Sequence, residues 1–142
     1  MNQETYTFTS AEGIILHSLL CLPKSLVLAE SKRWPCLLFL HGRGERGINL
    51  SLLKRYGLPK TVQAWLDSPF IILSPQCPAV RDWSELIPVL CELLLDAERR
   101  LPIDHARRYL TGLSMGGRGS WLLAATYPTL FAAMLPICGR IP

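Results

Sequence analysis

The sequence predicts an α/β fold, a mostly parallel sheet flanked by helices. Three observations carry this. Continuous apolar runs at 35–42 and 70–75 have the pattern of strands buried on both faces, and a further apolar run at 131–139 reads as a final strand. Stretches with helical spacing separate the runs. The resulting strand–helix–strand alternation is the signature of parallel sheets.

The elements follow in chain order. "ETYTFTS" alternates around Tyr6 and Phe8, and "GIILHSLLCLP" is an apolar run closed by proline. With Glu12-Gly13 between them, they predict an antiparallel pair. Residues 24–34 form a polar connection to the strand "PCLLFLHG". After the glycine-rich "GRGERGINL", a helix is expected to start at Pro59, with Val62, Trp65 and Leu66 on one side. "FIILSP" is the next buried strand. Asp82 or Ser84 is expected to cap the following helix, with Glu85 completing a capping box. Its apolar positions Leu86, Val89, Leu90, Leu93, Leu94, Ala97 and Leu101 step in threes and fours, so one face covers the sheet. Pro88 fits only in its first turn. "RRYLTG" is a strand, "GRGSWLLAATY" a helix stopped by Pro128, and "FAAMLPICG" the last strand.

Composition narrows the function classes. The 142 residues suffice for one domain with a real core. Hydrophobic residues make up 49% and charged residues 18%, which excludes a disordered chain. The net charge of +4 is scattered, without a basic run interleaved with aromatics, so no nucleic-acid partner is expected. The polar N-terminus lacks a basic segment followed by an apolar one, and His17, Pro23 and Lys24 interrupt the most apolar stretch. No membrane association and a cytoplasmic location are expected. The five cysteines show no paired spacing, so neither a disulfide framework nor a metal site is expected. Cys36 and Cys138 read as small buried hydrophobes.

The chemistry centres on Gly112-Leu113-Ser114-Met115-Gly116. On composition alone, Gly-x-Ser-x-Gly arises by chance in roughly one chain in twenty of this length, so the motif needs its context. Here a strand ends at Thr111-Gly112 and a helix begins by Gly117, the arrangement of a nucleophile elbow. Glycines at 112 and 116 let the strand and helix approach closely around a strained serine. Ser114 would then project above the carboxyl edge of the sheet, with the Met115 N–H aimed at a developing oxyanion. A glycine-rich helix start that merely packs, or binds phosphate, is the competing reading, but GxGxxG and the Walker lysine are absent. A second donor is expected from Arg43 or Gly44, in the loop after the strand at 35–41. His41 reads as a structural residue bonding its own loop, and Glu45 with Arg46 as a loop-shaping ion pair.

"LLFLHGRGERG", "FIILSPQCP" followed by Trp83, and "RRYLTGLSMGGRGSWLLAATYPTLFAAMLPICG" together resemble the α/β-hydrolase superfamily. The resemblance is nearest to the predicted peptidase, phospholipase/carboxylesterase and polyhydroxybutyrate-depolymerase-like group, relatives of dienelactone hydrolase and prolyl oligopeptidase. It covers about residues 35–139. It implies Ser114 as nucleophile, Met115 N–H and an N–H near Arg43 as oxyanion hole, an ester or amide substrate, and no cofactor. Arg43 stands where the family more often has a small residue.

The same resemblance implies a triad in the order Ser, then Asp or Glu, then His, with both partners on loops beyond "MLPICG". His105 precedes its strand at the end away from Ser114, some six residues or ~20 Å distant. His17 lies in an early strand. The expectation is therefore a single, incomplete α/β-hydrolase domain over 1–142, lacking the last strands and weakly active or inactive alone. Its open strand edge would favour self-association or a complementing C-terminal half. The alternative is a non-catalytic pseudo-hydrolase that binds a small molecule or protein.

Overall fold

Period-two alternation in the first residues folds into an antiparallel pair, β1 (Gln3–Thr9) and β2 (Ile15–Cys21), joined by a turn in which Gly13 takes φ +86°. The computed structural model describes residues 3–27 and 30–142; Leu28 and Ala29 of the polar connection, with Met1 and Asn2, lie outside the described residues. The apolar runs become β3 (Trp34–Leu40), β4 (Ile71–Pro75) and β6 (Ala133–Ile137), and β5 spans Ile103–Leu113. These six strands form one sheet in the order β1-β2-β4-β3-β5-β6. β4, β3, β5 and β6 run parallel, and β2 adds to β4 antiparallel. The apolar, β-branched-rich run Ile71–Leu73 is wholly buried, as a strand covered on both faces requires.

Helices cover the two faces unequally. α2 (Ile87–Arg100) and α3 (Met115–Thr126) pack on the face that carries Leu16, Leu38, Leu40 and Leu110. α2 buries Val89, Leu90, Leu93, Leu94 and Ala97, the predicted stripe, and Pro88 falls in its first turn, where no intrahelical N–H is lost. Two polar ties hold α2 in place. The Tyr6 hydroxyl donates to Asp96 at 2.5 Å, and Arg108 of β5 donates to Glu98 at 2.8 Å.

Among the described residues, a smaller apolar cluster lies on the opposite face over β2, β4 and β3. It consists of Cys21, Val62 and Ile72, with Leu37, Leu58, Trp65 and Phe70 around them. Beyond it, Phe39, Tyr109, Thr111, Leu113, Leu135 and Ile137 line an apolar groove of about 490 Å³. β6 ends the sheet, with Leu135 exposed at 65%.

Three local expectations are corrected. The connection after β3 is not an amphipathic helix. It consists of 3-10 turns at Arg43–Glu45 and Leu50–Arg55, the five-residue α1 (Gly57–Thr61) and a further turn at Val62–Ala64. Trp65 is already extended, so the helical period lapses and Leu66 points outward at 87% exposure. The capping box of Asp82 and Glu85 closes a separate 3-10 turn, Trp83–Glu85, ahead of α2. Cys138 is exposed, because the chain leaves β6 there with φ +57°.

Candidate active site

Ser114 is the residue between β5 and α3, and its backbone sits at φ 57°, ψ −111°. A non-glycine residue holds such a conformation only where its surroundings over-determine it. They do so here. The Ser114 N–H donates to the Ile137 carbonyl at 2.8 Å, and its carbonyl accepts from the Arg118 N–H at 3.0 Å, opening α3. The glycines predicted to flank the turn permit the approach. A methyl group on Gly112 would strike the Gly116 carbonyl, and one on Gly116 would strike the carbonyl of Leu40 in β3. The Ser120 hydroxyl donates to the Gly116 carbonyl at 2.8 Å, fixing the first turn of the helix. Met115 begins α3, so its N–H has no partner within the helix.

The loop after β3 is built around His41. Its ring is 1% exposed and both nitrogens are engaged. Nδ1 lies 2.5 Å from the Gly42 carbonyl and Nε2 lies 2.9 Å from the Cys77 N–H. A carbonyl only accepts and an amide only donates, so the neutral tautomer with the proton on Nδ1 fits both. Burial pushes the His41 pKa down to about 4, a depression only partly opposed by the Gly42 bond. The buried indole of Trp83 donates to the His41 carbonyl at 2.9 Å. Gln76 donates from one amide to the carbonyls of Glu45 and Asn49, at 2.8 and 2.9 Å. Arg46 turns to the carbonyls of Arg43 and Arg81, both at 3.1 Å, so the expected Glu45–Arg46 ion pair does not form. Glu45 is buried instead.

These loops meet over Ser114 in a polar cleft of about 280 Å³ lined by Arg43, Asp82, Ser114, Met115, Arg118, Cys138 and Arg140. Ser114, Met115 and Arg43 thus line one cleft. Gly44 is exposed and does not line the cleft. Arg43 opens a 3-10 turn, where the leading N–H groups have no partner within the turn. Asp82 accepts from the Ser84 N–H at 3.0 Å, from Arg43 at 3.4 Å, and faces Arg118 at 4.0 Å. Partial burial pushes its carboxyl up, but Ser84 and then Arg118 and Arg43 outweigh this and hold it below the usual range. Sequence reasoning did not assign Arg118, Cys138 and Arg140 to the site. The helix start at Gly117 hid Arg118, and only the three-dimensional end of β6 brings Cys138 and Arg140 beside the elbow.

The remaining histidines are elsewhere. His17 is exposed on β2, 3.1 Å from the Thr7 hydroxyl, and His105 lies at the start of β5, the end away from Ser114. Among the described residues, no cluster of three His, Cys, Asp or Glu side chains is arranged to hold a metal, and no helix is long and apolar enough to cross a membrane.

No protein-family model matches the chain, and no curated protein matches it. Solved structures do. A thermostable esterase aligns with a TM-score of 0.81 at 30% identity, covering 99% of this chain and 41% of that one. The S-formylglutathione hydrolase of Staphylococcus aureus aligns with a TM-score of 0.76 at 17% identity, covering 99% of this chain and 59% of that one. A ferulic acid esterase of the anaerobic fungus Anaeromyces mucronatus aligns with a TM-score of 0.68 at 18% identity, covering 93% and 56%. This chain therefore spans 41% to 59% of the length of these structures. The architecture it shares with them is of the α/β-hydrolase type, a mostly parallel sheet flanked by helices.

Proposed function

We propose that this chain carries the nucleophile and oxyanion hole of a serine carboxylic-ester hydrolase. The observation that carries the reading is the strained Ser114, held at φ 57° on the carboxyl edge of β5 by glycine contacts no other residue would allow. The similar structures, two esterases and an S-formylglutathione hydrolase, support the reaction class.

The mechanism is acyl transfer in two steps. A general base removes the Ser114 proton as Oγ attacks the ester carbonyl, forming a tetrahedral oxyanion. The N–H groups of Met115 and of Arg43, in the loop after β3, take up that negative charge. Collapse expels the alcohol, protonated by the base, and leaves the acyl group on Ser114. Water, activated by the same base, then releases the acid.

The base does not come from the described histidines. His41 spends both nitrogens on Gly42 and Cys77, and its depressed basicity suits a structural imidazole. We assign the base and its orienting carboxylate to polypeptide outside residues 1–142, continuing the sheet at β6 and covering the apolar groove of Tyr109, Leu113, Leu135 and Ile137. The unpaired β6 edge and that uncovered groove support this assignment.

Fluorophosphonate labelling with mass-spectrometric localisation tests the reading. The chain alone is expected to label slowly, at Ser114, and Ser114→Ala not at all. Rapid labelling would place a working base within these residues and overturn the assignment of the base. An adduct on another residue, or none at high reagent, would overturn Ser114 as nucleophile and favour a non-catalytic binder.

A further inference from the structure

The cleft over Ser114 holds more positive charge than its own contacts use. Three guanidinium groups line it, from separate parts of the chain: Arg43 in the loop after β3, Arg118 in the first turn of α3, and Arg140 beyond β6. One carboxylate, Asp82, faces them, and it is already engaged by the Ser84 N–H. Its approach to Arg43 is long, at 3.4 Å, and to Arg118 longer still, at 4.0 Å, beyond hydrogen-bond reach. Arg140 is exposed and makes no hydrogen bond or ion pair among the described residues. By contrast, Arg107 and Arg108 close on carboxylates at 2.7 and 2.8 Å. The N-terminus of α3 adds the positive end of its dipole to the same cleft. A concave site lined by one sign of charge concentrates ligands of the other sign.

We infer that the site takes esters that also carry a free carboxylate, such as the half-esters of short diacids. The inference rests on the reading of Ser114 as nucleophile. The scissile carbonyl lies over Ser114 with its oxygen toward Met115, and the free carboxylate docks on Arg118 and Arg140. Planar guanidinium forks suit a carboxylate through paired N–H donors. Asp82 keeps Arg43 and Arg118 at the rim and does not neutralise them. A neutral ester leaves these donors to water and gains nothing from them.

The test reads binding, so that it does not depend on turnover. Saturation-transfer NMR compares monomethyl glutarate with dimethyl glutarate on the wild-type chain and on Ser114→Ala. The half-ester is expected to bind about tenfold tighter in both, a preference that shrinks at high salt. The double variant Arg118→Gln/Arg140→Gln, both positions at the surface, is expected to lose it while still binding the diester. Equal affinity for the two ligands in folded wild-type protein, or no binding of either, overturns the inference. So does displacement of the half-ester by inorganic phosphate as readily as by glutarate, which would mark a general anion site. A chain that prefers the half-ester but is not labelled by fluorophosphonate keeps this inference and fails the nucleophile reading. A chain that is labelled without the preference does the reverse.

Discussion

Acidification is expected to destabilise this protein through His41. In the folded state the imidazole is neutral, with Nδ1–H on the Gly42 carbonyl and Nε2 receiving the Cys77 N–H. Protonating Nε2 sets two N–H groups against each other inside a buried loop. The folded pKa lies near 4 against an ordinary 6.5, so the unfolded chain binds the proton first and stability falls with pH. The stabilisation is fully present above pH ~6.5 and is lost as pH falls through ~4. At about 1.4 kcal/mol per pH unit, that interval removes roughly 3 kcal/mol, a large share of the 5–15 kcal/mol typical of a domain. Urea titrations followed by tryptophan fluorescence at a series of pH values measure it, with the slope m checked for constancy. His41→Gln serves as the control. It is less stable near neutrality, having lost the fit to both partners, and its stability changes little between pH ~6.5 and ~4.5. A wild-type curve that is flat over that interval, or one that the variant reproduces, would refute the reasoning.

Other outcomes follow from the same geometry. Gly116→Ala places a methyl group on the Leu40 carbonyl and is expected to cost about 4 kcal/mol or leave the chain insoluble, whereas Gly44→Ala, with nothing near its Cβ, stays within about 0.5 kcal/mol; urea midpoints compare them. Ser114→Gly relieves the φ 57° strain, less glycine's own entropy cost, for a net gain of about 1 kcal/mol or roughly 3 °C in Tm. Ser114→Ala keeps the strain, and an equal rise in its Tm would remove strain as the cause. Glu98→Ala leaves Arg108, 13% exposed, without its 2.8 Å partner and is expected to cost about 2 kcal/mol, most of it recovered in the double variant with Arg108→Met.

The amphipathic stripe of α2 and the apolar runs of β3 and β4 were legible because burial imposes a period or a continuous pattern on the sequence. The tight turn at Ser114 was legible because two backbones approach too closely for a side chain at Gly112 and Gly116, and that demand is local to a few residues. The segment 43–66 was not, because tertiary ties replace helical period there. Gln76, from the end of β4, holds Glu45 and Asn49 by their carbonyls, and no spacing within the loop announces it. Cys138 read as a core residue because its run is apolar, yet the reversal at φ +57° turns it out. Arg118 and Arg140 went unassigned for a related reason. Each sits beside an element boundary, and a shift of two residues decides whether a side chain faces the cleft or the solvent.

The strain at Ser114 has to be offset by bonds made around it, and their distribution says which parts of the site are fixed. His41, Cys77, Trp83 and Gln76 cross-tie the loops after β3 and β4 to the turn before α2, so the Arg43 wall is set by buried contacts. On the other wall, the bond from the Ser114 N–H to Ile137 continues the β5–β6 pairing and ties the turn at Ser114 to the end of β6. That bond also removes the one backbone donor of Ser114 itself from service to a ligand. On the proposed mechanism, the oxyanion is then held by Met115 and by the Arg43 loop. On the proposed mechanism, the conformation that strains Ser114 also selects Met115 as oxyanion donor, and a stabilising Ser114→Gly exchange would leave that donor in place while deleting the proposed nucleophile.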